Sequence, residues 1–330
     1  APSWPADPGV VLPMRFIDRE EVARRLTYPA AIRIVREAMT ALSRGETKQL
    51  LRSILTLSEG RLYGAMTGAL GAHGPFGSKV LSAFQGNAAR GRQSHQGLIL
   101  LFDPETGAPV CALHAGEITA IRTAAASAVA TDALARRDAR RLAVLGTGEQ
   151  AATHVRAIRE VRPLEGITVW GRSLERATDL ARRAGQETGI PVRAVASARE
   201  AVADADIVCT VSAASEPILL GAWVRPGTHV NVVGSSYLGP VEVDPALVVA
   251  SRFFADSREG CLRQGAEFAK AREAGLIGDD HLVGEIGEVL AGTVPGRRSP
   301  EEITVYKSLG HIVQDLATGW ALHAGTEELR

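Results

Sequence analysis

Arg140-Arg141-Leu142-Ala143-Val144-Leu145-Gly146-Thr147-Gly148-Glu149-Gln150-Ala151 is the stretch on which the reading of this chain turns. An apolar run long enough for a short strand leads straight into Gly-x-Gly-x-x-Ala. Ala152, Val155, Ile158 and Val161 then continue at helical spacing. Strand, glycine turn and helix in that order make a dinucleotide-binding turn. Gly146 makes the tight bend, Gly148 lets the main chain approach a pyrophosphate, and Ala151 lets helix and strand pack closely. The helix N-terminus offers free N–H groups to the anion. Thr147, Glu149 and Gln150 complete the candidate cradle. The alternative is a glycine-rich turn in an α/β domain that binds nothing.

The pattern around this turn is that of alternating strand and helix. Strands are expected at 141–146, 167–171, 191–195, 206–211, 228–233 and 252–255, with helices at 148–161, 174–187 and 198–204. That order predicts a parallel sheet with right-handed crossovers. A further helix at 258–275, a short strand at 303–307 and a last helix at 309–325 follow. Towards the N-terminus the pattern changes. Residues 1–14 are Pro-rich and read as extended, and Glu20 to Arg44 reads as one helix, apolar at every fourth position. Strands at 49–57, 61–67, 76–84, 97–103 and 109–114 have no helices between them, which predicts an antiparallel-rich sheet. A helix of almost only small residues, Glu117 to Ala135, then leads into the basic run before the glycine turn. The fold class is α/β: a Rossmann parallel-sheet domain over 131–308 and an α+β domain formed by 1–130 with 309–330.

Composition excludes several function classes. The 330 residues are 45% hydrophobic and 22% charged, with 37 basic and 37 acidic side chains. There is no basic field for nucleic acid or a membrane surface. Cys111, Cys209 and Cys261 are far apart in apolar runs and read as reduced core residues of a cytoplasmic protein. The histidines show no metal-ligand spacing, so no metal is expected. No run reaches the roughly 18 apolar residues of a membrane span, and the N-terminal residues lack the pattern of a secretory signal.

The second Rossmann strand ends in Trp170-Gly171-Arg172-Ser173, with no carboxylate before Glu175. An acid there would accept the ribose hydroxyl of NAD, whereas an Arg with a hydroxyl donor suits the 2′-phosphate of NADP. Gly171, Arg172 and Ser173 therefore favour NADPH, with NADH as the second choice. In the first half, three cations sit inside apolar stretches: Lys79, Arg122 and Arg52. Burying an unpaired cation costs several kcal/mol, so each needs an anion. No carboxylate adjoins Lys79 or Arg52 in sequence, and Arg122 has Glu117 about a turn and a half away. Either these cations form internal salt bridges, or they converge on an anionic substrate. In the second case a desolvated lysine would be tuned towards neutrality for proton transfer.

Five segments together resemble the ornithine cyclodeaminase/mu-crystallin family: Gly77-Ser-Lys79, Ser94-His95-Gln96-Gly97, Thr119 to Ser127, Gly146 to Ala151, and Tyr306-Lys-Ser-Leu-Gly310. They match in order and spacing over essentially the whole chain after residue 17. The resemblance implies that the α+β domain binds substrate and dimerises, two subunits joining their sheets into a barrel. It implies that Arg52 and Arg122 hold a substrate carboxylate and that Lys79 lies beside the reacting carbon–nitrogen bond. Thr123, Ser212, Gly234, Ser235, Ser308 and Gly310 would line the cofactor. Cyclodeaminases of the family carry an acid after the fifth Rossmann strand. Here that loop reads Gly234-Ser235-Ser236-Tyr237, with Glu242 and Asp244 too late to be matched to it. The missing acid and the strand end Trp170-Gly171-Arg172-Ser173, which resembles that of the family's NADP(H)-using ketimine reductases, both favour an NADPH-dependent reductase of cyclic α-imino acids acting as a homodimer. An ornithine cyclodeaminase, an alanine-type amino-acid dehydrogenase and a non-catalytic NADPH-binding protein are the alternatives. Whether His95, His114 or His311 meets substrate stays open.

Overall fold

A computed structural model describes residues 14–326 and 329, so the extended reading of residues 1–13 lies outside the described residues. The first half contains β1 (Arg15–Ile17), α1 (Arg19–Arg25), α2 (Tyr28–Ser43), β2 (Lys48–Gln49), β3 (Ser53–Ser58), β4 (Arg61–Ala69), β5 (Phe76–Phe84), β6 (His95–Phe102), β7 (Pro109–His114) and α3 (Ala115–Leu134). Its sheet runs β1-β7-β6-β5-β4-β2, with β3 also paired to β4. Only β1, on β7, is parallel to its neighbour.

The second half contains β8 (Arg141–Leu145), α4 (Glu149–Ile158), β9 (Gly166–Trp170), α5 (Leu174–Thr188), β10 (Val192–Ala194), α6 (Ala198–Val202), β11 (Ile207–Thr210) and β12 (His229–Val232). It continues with α7 (Pro245–Ala250), β13 (Ser251–Ala255), α8 (Arg258–Gln264), α9 (Ala266–Glu273), β14 (Leu282–Glu285), α10 (Ile286–Leu290), β15 (Ile303–Lys307) and α11 (Ile312–Ala324). These strands form one parallel sheet, β10-β9-β8-β11-β12-β15-β13-β14. The order reverses at β8, where an open α/β sheet leaves a crevice at its strand ends.

Three expectations need correction, each for a local reason. The helix expected over 20–44 is two helices. Thr27 accepts from the Ala30 N–H as an N-cap and Pro29 occupies the first turn, so the chain restarts there. The helix expected over 258–275 breaks at Gly265, where a Cβ would lie 2.6 Å from the Cys261 carbonyl. The strand expected over 49–57 leaves the ladder between Gln49 and Ser53, and Arg52 turns towards the other half of the molecule. Elements that the sequence pattern did not single out are β1, α7, β14 and α10.

The small-residue helix α3 joins the two halves. It is buried along nearly its whole length and packs on α2, α4, β6 and β12. Over 123–131 every side chain but Val129 is Ala, Ser or Thr, which lets backbones approach closely, and two polar groups of this run are paired across the contact. Ser127 meets His154 Nε2 at 2.9 Å, and Asn231 donates to Thr131 at 3.0 Å. The last helix, α11, returns to the first half and lies over β4, β5, β6 and α2. That return carries the end of the chain under the middle of β5, where Lys79 points.

Candidate active site

The site is built where the loops after β11, β12 and β15 face β5, α3 and α11. Lys79 is 1% exposed, and its Nζ donates to Asp315 Oδ2 at 2.6 Å. Arg122, 3% exposed, gives its Nε to the other oxygen of the same carboxylate at 3.0 Å and an Nη to Gln314 Oε1 at 2.7 Å. Glu117, the neighbour in sequence, instead pairs with Arg19. Asp315 is thus the counter-ion of both buried cations. Arg122 and Lys79 hold its carboxyl below the usual range although burial opposes this. Burial pulls Lys79 down to about 7 against the attraction of Asp315, with Arg122 and Arg52 adding to the fall.

Arg52 reaches across from the first half. Its guanidinium donates to the carbonyls of Ser236 (2.8 Å), Gly310 (2.9 Å) and Leu309. The N–H groups of the same Leu309–Gly310 turn go to Asp256 Oδ2, at 2.8 and 2.7 Å. Gly310 has φ +79°, and a Cβ on it would lie 2.8 Å from the Arg122 guanidinium. Only glycine allows both the backbone and that contact. The turn is therefore clamped on both faces, with Arg122 against it and Arg52 around it.

Two histidines look onto these cations. Desolvation, then the charges of Lys79, Arg52 and Arg122, shift His95 down, although the residue itself is exposed and keeps much of its contact with water. Burial likewise brings His311, the N-cap of α11, to about 4. His114 is the N-cap of α3, accepting from the Glu117 N–H, and so has a structural task.

The glycine turn fits a dinucleotide. Gly146 has φ +145°, and a Cβ there would meet the Val211 carbonyl at 2.6 Å. Gly148 faces open space within 4 Å, and no side chain caps α4, whose N-terminus it forms. That is a cradle of main-chain donors with room above it. Gln93 donates to Glu149 Oε1 at 2.5 Å, which ties the turn to the loop before β6. Gly171 packs on Thr147, where a Cβ would lie 2.5 Å from the Thr147 methyl. Arg172 is exposed, and Ser173 caps α5 by accepting from the Arg176 N–H, so its own hydroxyl proton stays free to donate.

The remaining cofactor-side candidates are more deeply built in than their sequence suggested. Glu242 accepts from Thr210 Oγ1, from Ser212 N and Oγ, and from Gly234 N, at 2.6 to 2.8 Å. One carboxylate thereby joins the ends of β11 and β12. Ser235 is buried against the Lys307–Glu267 ion pair, in which Lys307 Nζ lies 2.7 Å from Glu267 and 2.5 Å from Ser235 Oγ. Ser308 and Thr123 are buried beside these loops. Sequence reasoning missed Asp315, Gln314, Asp256, Glu267, Lys307 and the task of Glu242. The signal existed: Gln314-Asp315 interrupts the apolar run of α11 just as Lys79 interrupts β5. Among the described residues no three His, Cys, Asp or Glu side chains are grouped as a metal site would need, and no helix is long and apolar enough to cross a membrane.

The model of the ornithine cyclodeaminase/mu-crystallin family matches residues 14–328. The chain is 33% identical to the ketimine reductase mu-crystallin of Mus musculus over 306 residues, 91% of this chain and 94% of the relative. Among solved structures, it superposes with a TM-score of 0.91 on Thermococcus litoralis Delta(1)-pyrroline-2-carboxylate reductase in complex with NADH and L-proline. That match has 33% identity and covers 94% of this chain and 97% of the other. An archaeal alanine dehydrogenase dimer with bound NAD gives a TM-score of 0.88 at 28% identity, covering 94% and 95%. With its glycine turn, its buried lysine and its clamped Leu309–Gly310 turn in place, the chain belongs to the ornithine cyclodeaminase/mu-crystallin family.

Proposed function

We propose that the protein is an NADPH-dependent reductase of cyclic α-imino acids, such as Δ1-pyrroline-2-carboxylate or Δ1-piperideine-2-carboxylate, forming proline or pipecolate. The observation that carries this reading is the Lys79–Asp315–Arg122 cluster, buried and set against the loops that end the parallel strands. The likeness to a ketimine reductase and to a pyrroline-2-carboxylate reductase in complex with NADH and proline supports the same chemistry.

Gly146 to Ala151 would hold the pyrophosphate, and Gly171, Arg172 and Ser173 the adenosine end. The loops at Thr123, Ser212, Gly234, Ser235, Ser308 and Gly310 would flank the nicotinamide. When bound, the reduced nicotinamide supplies a hydride. The protein's own part is to bind, orient and protonate. Arg52 and Arg122 grip the carboxylate and fix which face of the ring is presented. Lys79, buried and near neutrality, gives a proton to the imine nitrogen and makes the adjacent carbon electrophilic. Asp315 holds Lys79 and Arg122 in register from beneath. NADPH oxidation against a panel of cyclic ketimines tests the reading, and no turnover with any of them would end it.

The second reading is an amino-acid dehydrogenase, favoured by the likeness to the archaeal alanine dehydrogenase. Open-chain 2-oxo acids with ammonia separate the two. Cyclodeamination is disfavoured because Ser235 and Ser236 stand where an acid is needed, and Glu242 has its oxygens taken by four donors. A homodimer accords with the exposed apolar side chains Ile54, Leu55, Leu57 and Tyr63 on β3 and β4. The cytoplasm is the compartment we assign, and the division at 130/131 and 308/309 follows the two sheets.

A further inference from the structure

Five charged side chains meet in the candidate site: the cations Lys79, Arg122 and Arg52, and the carboxylates Asp315 and Asp256. Asp315, from α11, is shared by Lys79 of β5 and Arg122 of α3. Asp256, after β13, gives one oxygen to the Leu309 and Gly310 N–H groups, and its charge faces Arg52 and Arg122. His95 of β6, which is exposed, and His311 before α11, which is half-buried, face the same cations and are shifted towards the neutral form, and Gln314 carries no charge. Three cations against two anions leave the set one negative charge short, with Arg52 half-buried and the other four buried. A net charge out of water is costly, and only two adjustments are open: the set sheds a proton, or it takes in an anion. Guanidinium groups keep their protons, so the proton that can be shed is that of Lys79.

We infer that the substrate's own carboxylate is the missing anion, and that its seating between Arg52 and Arg122 makes Lys79 take up one proton from solvent. The inference rests on the reading of the two arginines as the carboxylate clamp. In the free protein Lys79 stands near neutrality, where the arrival of a negative charge has most effect on its proton occupancy. The transfer that follows balances. An Nζ–H bond breaks and an N–H bond forms on the imine lone pair, leaving a neutral amine on Lys79 and an iminium on the substrate, with nothing oxidised or reduced. The carboxylate is thus required for the chemistry as well as for binding. Imines that lack it lose kcat as well as affinity, because they bind to a lysine that stays uncharged.

Calorimetric titration of the full chain with pyrrole-2-carboxylate, in saturating NADP, measures this without turnover. That ligand is a planar carboxylate whose nitrogen has no basic lone pair. Runs in two buffers of different ionisation enthalpy give the protons exchanged per ligand bound. The expected result is close to one proton taken up per site at about pH 8, falling towards zero below about pH 6, where Lys79 is already charged. The Lys79→Met variant should bind with no uptake. Should that variant fail to fold, the pH dependence in the wild-type protein still decides. Binding at pH 8 without uptake, or uptake that persists in Lys79→Met, overturns the inference while leaving the clamp intact. No binding of the carboxylate at all overturns the clamp, and the inference with it.

Discussion

Lys79 and Lys307 are both buried, each with a carboxylate within 2.7 Å, yet their surroundings differ in one respect. Lys307 pairs directly with Glu267, the Ser235 carbonyl and hydroxyl complete its shell, and the Glu242 carboxylate lies near enough to feel its charge. Its charge is cancelled inside the protein, and the pair sits beneath the loop after β12 and fixes its shape. Lys79 shares Asp315 with Arg122 and has Arg52 nearby, so its charge is not cancelled. A balanced buried pair is a fastener, and an unbalanced one is a place for something to arrive. The two carboxylates carry this contrast as much as the lysines do.

The comparison can be broken most sharply at Lys79. Lys79→Ala should lower kcat by about 10²–10⁴-fold, the usual worth of a positioned general acid, with NADPH affinity unchanged. Steady-state kinetics and a fluorescence titration of the cofactor together check this. Asp315→Asn comes next. It leaves Lys79 and Arg122 without their shared anion and should cost about 3–5 kcal/mol of stability by denaturant unfolding. It should also move the alkaline limb of kcat/KM to lower pH, because the carboxylate that favours charged Lys79 is gone. A profile unchanged by that substitution would show that Lys79 is not the titrating acid.

Arg172→Ala should weaken NADPH, but not NADH, by about 10–100-fold, the range of a charge-assisted bond to phosphate. Equal losses for the two cofactors would remove the 2′-phosphate from this corner. The fastener side gives a smaller effect. Lys307→Met alone should destabilise the fold, whereas Lys307→Met with Glu267→Leu should recover most of the loss, since apolar replacement of a whole buried pair is often neutral. The pH profile should stay that of the wild type in both. In the proposed mechanism charged Lys79 is the working form, and in the unaltered protein it is present below its pKa. Accordingly, kcat/KM should fall as pH rises through about 7, and kcat should hold to higher pH because bound substrate favours the charged lysine.

Much of the cofactor half was legible in the chain. A strand, a glycine turn and a helix are local objects, and the residues that make Gly146 bend and leave Gly148 open lie within a few positions of one another. Helix breaks at Thr27 and Gly265 were equally local, and were missed because the apolar period runs across them. Glu242 does not match the cyclodeaminase acid, and its structural task, to accept from Ser212 and Gly234, appears only when the chain folds back.

By itself the sequence determined that a dinucleotide turn exists, that Arg172 follows the second parallel strand with no carboxylate before Glu175, and that three cations are held in apolar stretches. Those facts follow from periodicity and from the cost of burying charge, both properties of a residue and its near neighbours. What the cations are paired with was decided only in three dimensions. Asp315 lies 236 residues from Lys79 and 193 from Arg122 and reaches them because α11 packs back over β5. Ion pairing acts through space, and a hydrophobic period tells which face is buried but not which side chain waits across from it.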